Sequence, residues 1–214
     1  LFAKDSTNIF DFPMTQVVVN INKQHLNFLK KKTLDEVIYQ KVGFLSHYTN
    51  IYIGKQNNLT LAKIKKNLKK NKSNIFFSNF WKIIKINSSH FYKDKNNKIK
   101  INTKYIHSKG LLENLGLAIK IALDLKIKKE IIQKTIPYIK FEGRIEYLTK
   151  GKISNHLNKD EKILIDGCHS ETSAKNLANY LKTIKCKKYG IWGMSKNKNP
   201  GSFIKNFGVT KSFK

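Results

Sequence analysis

Apolar and polar residues alternate along this chain in short, distinct patterns. Val17, Val18, Val19 and Ile21 form a β-branched run that predicts a buried strand over 17–21. Leu34, Val37, Ile38, Val42 and Leu45 then recur at helical spacing behind Thr33, whose hydroxyl can cap the first turn. Ile51-Tyr52-Ile53 predicts a second strand, closed by Gly54. Residues 60–70 predict a basic helix with Leu61, Ile64 and Leu68 inward, and Ile75-Phe76-Phe77 a third strand. From 81 to 101 the pattern is that of a meander with Asp94-Lys95-Asn96-Asn97 as a turn. Gly110 opens a long helix to about Leu125, with Leu111, Leu112, Leu115, Ala118, Ile119 and Ala122 on one stripe, and a short helix follows over 128–135.

Pro137 marks a boundary, and we divide the chain into 1–139 and 140–214. Beyond it, residues 144–148 look β-like, 162–166 predict a buried strand, and Ser170 can cap a helix carrying Ala174, Leu177, Ala178 and Leu181. Residues 189–193 (Tyr-Gly-Ile-Trp-Gly) predict the next strand. Strand, helix and strand at this spacing predict a βαβ unit and therefore a parallel sheet. Two parallel strands make too small a sheet for a finished domain, and the chain opens on Leu1 rather than Met. It is expected to be a piece of a longer protein.

Composition narrows the classes. Hydrophobic residues make up 40% of the chain, enough for a core and against a disordered chain. No apolar run approaches the roughly 18 to 20 residues that cross a bilayer. Cys168 and Cys186 are too few for a disulfide framework or a four-thiolate zinc site, so a reducing cytoplasm is the expected compartment. The 42 basic residues against 14 acidic give a net charge of +28, which suggests nucleic acid. Yet 41 of the 42 are Lys, spread along the chain and locally dense only over 63–72. Readers of bases favour the planar fork of Arg. Together with 23 Asn and 27 Ile, the excess Lys points to A/T-biased codons filling a tolerant surface. On that reading the single Arg144 has work that Lys cannot do.

Four places can carry chemistry. Lys41 falls inside the apolar stripe of its helix, either snorkelling past the core edge or as a desolvated, reactive amine. His25 follows the first strand, where open α/β sheets bind ligands; it is a structural histidine or a ligand. Asp166-Gly167-Cys168-His169 lies between a strand and a helix start, a place where an acid can hold a ribose hydroxyl and the helix start can favour phosphate. Phe141-Glu142-Gly143-Arg144 puts the only Arg at the junction of the two segments.

Taken in order, these segments resemble the folylpolyglutamate synthase/dihydrofolate synthase family of the Mur ligase superfamily. Asp5-Ser6-Thr7-Asn8 resembles its Asp-Ala-Thr-Asn motif, and residues 17–29 its strand-loop ending in Asp-His. Residues 33–37 and 41–45 resemble its T-L-E-x-I-A-x-E-K-A-G-I helix, and 141–145 its P-G-R junction. Residues 164–177 resemble L-D-G-A-H-N-P-x-A-A-x-x-L, and 190–199 resemble G-x-x-x-D-K-D. Asn114 falls where the family has Asn in a long helix. The resemblance spans nearly the whole chain.

The resemblance implies an α/β fold: part of a P-loop-type central Mur ligase domain over 1–139, followed by an incomplete Rossmann-like C-terminal domain over 140–214. It implies an ATP-dependent ligase that joins L-glutamate to dihydropteroate or to a reduced folate through an acyl phosphate. Lys41 would be carbamylated and His25 a magnesium ligand. Arg144 would contact ATP phosphates, Asp166 the ribose, and His169 and Asn114 the nucleotide. A cytoplasmic monomer without a membrane or a specific nucleic-acid partner is expected.

The departures are specific. No G-x-x-G-K-[ST] loop occurs, Leu1-Phe2-Ala3-Lys4 matches the family's Gly-Gly-Arg-Leu poorly, and Gln24, Ser170, Asn197 and Asn199 replace usual Asp or Asn residues. These 214 residues alone are therefore expected to be inactive. Two other readings share parts of the pattern. One is a non-catalytic basic protein that binds nucleic acid through residues 63–72 and Phe76, Phe77 and Trp81. The other is a Mur-type cell-wall ligase.

Overall fold

The structure is a computed structural model that describes residues 10–23, 26, 29–103, 105–195, 198 and 200–208. His25, the segment 5–8, Gln24, Asn197 and Asn199 lie outside the described residues. The chain divides into two compact bodies, one of residues 1–102 and 113–134, the other of 103–112 and 135–214.

The first body is built on a parallel sheet of β1 (Thr15–Val18), β2 (Asn50–Ile53) and β3 (Asn74–Phe77), in that order. β1 begins two residues before the predicted run and ends at Val18; Ile21 is nonetheless buried, its N–H donating to Gln56 Oε1 at 2.9 Å. The crossovers are α1 (Leu34–Val42) and α2 (Asn58–Asn67), which pack on each other. Thr33 caps α1 by accepting from Glu36 N, as its sequence position predicts. Asn57 caps α2 by accepting from Thr60 N, so this helix starts earlier than predicted. Val18, Ile21, Val37, Ile38, Val42, Ile51, Ile53 and Ile64 close the core between sheet and helices.

An antiparallel meander of β4 (Trp81–Ile86), β5 (Ser89–Asp94) and β6 (Lys98–Ile101) follows. Asn87, at φ 53°, supplies the left-handed residue of the first tight turn. Asp94 organises the second, accepting from the backbone N–H of Asn96 and Asn97, the Asn97 amide and the Tyr92 hydroxyl. Burial works to raise the Asp94 carboxyl, but these donors outweigh it and hold the group below its ordinary value.

The long helix α3 (Lys109–Asp124) buries Leu115, Gly116, Leu117 and Ile119, whereas Ala118 is exposed. The predicted stripe is therefore rotated. The cause is Gly116: a Cβ there would stand 3.1 Å from Ile83 and 3.4 Å from Trp81, so the helix lies against the meander along its bare backbone. The C-terminal turn of α3 is fixed by Asp124, which accepts from Tyr52 Oη at 2.7 Å and pairs with Lys120. Burial and then Asp124 push the Tyr52 hydroxyl well above the ordinary tyrosine range. The short helix α4 (Lys129–Thr135) buries only Ile132.

The second body contains β7 (Glu146–Leu148) paired antiparallel with β8 (Ile163–Ile165), and the helices α5 (Glu171–Lys182) and α6 (Pro200–Ile204). Two predictions fail here. β8 is not a buried strand, since Ile163 and Leu164 are half-buried and Ile165 is 42% exposed. Residues 189–193 are irregular, with Ile191 fully in solvent. The parallel βαβ unit predicted over 162–193 is therefore absent among the described residues. A strand exists only where a neighbour accepts its ladder, and none of the described strands pairs with 189–193.

Tyr52→Phe removes the donor to Asp124 inside a packed contact. We expect a loss of about 1–2 kcal/mol, read as a lower urea midpoint at unchanged slope. The Asp94 carboxyl, with its depressed folded value, contributes stability at neutral pH that is lost only as pH falls below the unfolded-state value of 3.8 and through the folded one. Asp94→Asn should cost about 1 kcal/mol at pH 7, and its deficit should close on acidification through that window.

Candidate functional site

In the second body the chain brings two loops together: 141–146, before β7, and 166–169, between β8 and α5. Two hydrogen bonds join them and a third closes the turn at 166–168. Gly167 N donates to Gly143 O at 2.7 Å, Ile145 N donates to Asp166 Oδ2 at 2.8 Å, and Cys168 N donates to Asp166 Oδ1 at 2.8 Å. Gly143 N in turn donates to Glu146 Oε2 at 2.7 Å. The backbone between these anchors is unusual. Gly143 has φ 65°, which glycine adopts freely, but Ile145 has φ 50°. A β-branched residue in the left-handed region is strained by roughly 1–3 kcal/mol. Ile145 is buried, and Asp166 grips its N–H, so the strain is fixed in place.

Arg144 sits between those two positive-φ residues with its side chain exposed. Its Nη1 lies 3.2 Å from where a Gly167 Cβ would be, so the guanidinium lies close against the turn at Gly167. Among the described residues no carboxylate pairs with Arg144. His169 is exposed, and its Nδ1 is 3.0 Å from Gly167 O. Behind them Ser170 caps α5 in a capping box. Its Oγ accepts from Ser173 N, and Ser173 Oγ accepts from Ser170 N. The N–H groups of Glu171 and Thr172 have no intrahelical acceptor. An exposed guanidinium against Gly167, the Asp166 carboxylate beside it in the chain and a helix that starts after Ser170 make an arrangement that suits an anion with an attached hydroxyl-bearing group. Glu171 in the first turn adds a negative charge against that anion.

Cys168 is shaped by the same carboxylate. Burial and the Asp166 carboxylate raise the thiol to about 12, while Arg144 pulls it back. On the far side of α5, Tyr147 Oη is 3.1 Å from Tyr180 Oη, and the His107 ring lies 5.1 Å from that of Tyr180. Burial lowers His107 and keeps its ring neutral more readily.

Arg144, Asp166 and His169 are therefore brought together. Lys41 and Asn114 belong to the first body, and both are exposed. Lys41 lies in the last turn of α1, one residue before the helix ends, and its exposure agrees with a stem that snorkels past the core edge, the first of its two readings. The sequence reading missed the tie from Asp166 to Ile145, the capping partner Ser173 and the pairing of Gly143 with Glu146. Only Ser173, three residues after Ser170, had a legible spacing.

Solved structures share this fold. Against the folylpolyglutamate synthase of Thermotoga maritima the TM-score is 0.71 at 19% identity, covering 96% of this chain and 47% of that one. The Mycobacterium tuberculosis folylpolyglutamate synthase, complexed with ADP and AMPPCP, gives 0.67 at 14% identity over 84% and 41%. A folylpolyglutamate synthase complex with AMPPCP and folate gives 0.65 at 16% over 84% and 44%. No protein-family model and no curated protein matches the chain. The chain thus has the α/β fold of part of these folylpolyglutamate synthase structures, with parallel and antiparallel sheets, and spans less than half their length. Among the described residues no helix is long and apolar enough to cross a membrane.

The environment of Cys168 gives a direct test of the loop arrangement. Iodoacetamide at pH 8 should modify the exposed Cys186 and spare Cys168. Asp166→Asn should open the 166–169 turn and bring Cys168 labelling up by tenfold or more, measured by peptide mass spectrometry.

Proposed function

We propose that this chain is part of an ATP-dependent ligase that joins L-glutamate to a pterin-linked carboxylate, dihydropteroate or a reduced folate. The observation that carries the reading is the convergence of Arg144, Asp166 and His169 at the capped start of α5, on a fold shared with folylpolyglutamate synthases. The two compact bodies correspond, on this reading, to the later part of a central ATPase-type domain and the first part of a C-terminal domain.

The reaction has two steps. A carboxylate oxygen attacks the γ-phosphorus, ADP leaves, and an acyl phosphate forms. The glutamate amine then attacks the acyl carbon, losing a proton and expelling phosphate. The residues of this chain act on charge and position. Arg144 holds phosphate oxygens through its planar fork, with the N–H groups at the start of α5 beside it. Asp166, already accepting two backbone bonds, keeps lone pairs for a ribose hydroxyl. His169 flanks the nucleotide, and Asn114 enters from the family resemblance.

Magnesium is implied by that resemblance, through His25 and a carbamylated Lys41. His25 lies outside the described residues, and among the described residues no three His, Cys, Asp or Glu side chains converge as a metal site requires. No step is therefore routed through the metal.

Calorimetric titration of the 214-residue chain with AMPPCP at about 150 mM salt tests the reading. We expect one saturable site, and about tenfold weaker binding for Arg144→Ala, equivalent to ~1.4 kcal/mol. Inorganic tripolyphosphate, which lacks the ribose, should bind more weakly than AMPPCP. Equal affinity for both anions, or indifference to Arg144, would mean that net charge alone is being measured. ATP should bind to this chain without turnover.

A further inference from the structure

The outer face of the β4–β5–β6 meander has a charge pattern that the ligase reading leaves unused. Register places Lys82 opposite Lys93, and Lys93 opposite Lys98. Adjacent strands lie about 4.8 Å apart, so three lysine stems stand in one row about 10 Å long. Like charges directly opposite one another destabilise a sheet, and among the described residues no carboxylate pairs with them. All three are exposed, and no Asp or Glu occupies any position of this face. Asp94, the nearest acid, alternates to the buried face and is committed to its turn. Elsewhere in the first body lysines do find carboxylates: Lys55 pairs with Glu113, Lys63 with Asp35 and Lys120 with Asp124.

The adjoining row on the same face is Ile84, Phe91 and Lys100. Phe91 is half-buried, and Lys98 Nζ lies 4.9 Å from its ring centroid. An aromatic ring thus lies beside a line of cations on a rigid antiparallel sheet. The opposite face is closed by Trp81, Tyr92, Ile99 and Ile101, all buried. The sheet can therefore present the outer face without rearranging.

We propose that this face binds single-stranded nucleic acid without sequence preference. Lys82, Lys93 and Lys98 would neutralise successive phosphates, and Phe91 would take a base once Lys98 turns from the ring to a phosphate. Lysine suits this task because each ammonium acts as a point charge and no base edge is read. Stacking on an aromatic ring tolerates every base. The apolar strip of Ile84 and Phe91 favours nucleic acid over an acidic peptide, which has no flat ring to lay on it. The surface differs from the one that sequence pattern suggested. Trp81 is buried in the core, Phe76 stacks on Tyr52 beneath Lys120, and Phe77 lies beneath Lys65.

A net charge of +28 attracts any polyanion, so the test holds charge constant. Binding of a 12-nucleotide oligothymidylate to the full chain is measured by fluorescence anisotropy from 50 to 300 mM salt. Two variants of equal net charge are compared: Lys82→Gln/Lys93→Gln/Lys98→Gln on the sheet, and Lys66→Gln/Lys69→Gln/Lys70→Gln at the end of α2. The sheet variant should bind about tenfold or more weakly, with the slope of log K against log salt reduced by about 2, from roughly 0.7 per lost contact. The α2 variant should lose less than threefold. Phe91→Leu, which keeps the apolar volume, should weaken the oligonucleotide about fivefold and leave inorganic polyphosphate and poly-glutamate unchanged. Equal losses in the two triple variants would overturn the proposal, as would indifference to Phe91. AMPPCP affinity should be the same in all three variants, which keeps this result separate from that of the nucleotide site.

Discussion

Both oxygens of Asp166 accept backbone N–H bonds, one from Ile145 and one from Cys168, and the candidate site depends on that double grip. The described part of the second body has only a two-stranded sheet, too little to fix two loops by ladder bonds. A single carboxylate does it instead. By holding Ile145 in a left-handed conformation it forces the chain to present Arg144 outward, and by holding Cys168 it fixes the turn that leads into the capped helix. The guanidinium of Arg144 lies close to Gly167, so that a Cβ there would displace it by a few tenths of an ångström. Position, strain and electrostatics at this site therefore follow from one aspartate. With burial as the larger cause, the same carboxylate also helps hold the Cys168 thiol up.

What the sequence made legible was local. Thr33 and Ser170 cap their helices, and Asp94 with Asn97 closes the meander turn, because each needs only partners two or three residues away. What it hid was non-local. Residue size predicts the α3 stripe, whereas packing on Ile83 and Trp81 selects Gly116, a position with no side chain. Residues 189–193 have strand composition, but a strand is a property of a pair. In the site, the Asp-Gly-Cys-His turn between strand and helix was legible from its pattern. Its tie to Ile145, 21 residues earlier, was not, because a hydrogen bond from a backbone N–H leaves no trace in residue type. For Lys41 the wheel leaves snorkelling and burial both open, because it gives direction but not how far the neighbouring element extends.

Charge divides the chain in an instructive way. If codon drift fills tolerant positions with lysine, then lysine at a given site carries little information, and each must be judged by its surroundings. Lys63 and Lys120 are neutralised by aspartates and serve packing. Lys82, Lys93 and Lys98 are stacked against each other, which drift permits but folding does not reward. Drift and use are not exclusive here. A bias that supplies lysine everywhere also supplies it where a phosphate chain could be held.

The single arginine reverses that logic. Arg144 stands between two left-handed residues, against a glycine, on a loop that a carboxylate braces from behind. A lysine there would keep the charge. It would lose the planar fork that engages two oxygens at once. The bracing would be superfluous for a flexible ammonium that finds its own geometry. It has value for a rigid donor set whose direction the backbone must supply. On the proposed ligase reading, the strain at Ile145 and the presence of arginine in a lysine-saturated chain are two aspects of one requirement: an anion held at a defined angle to the start of α5.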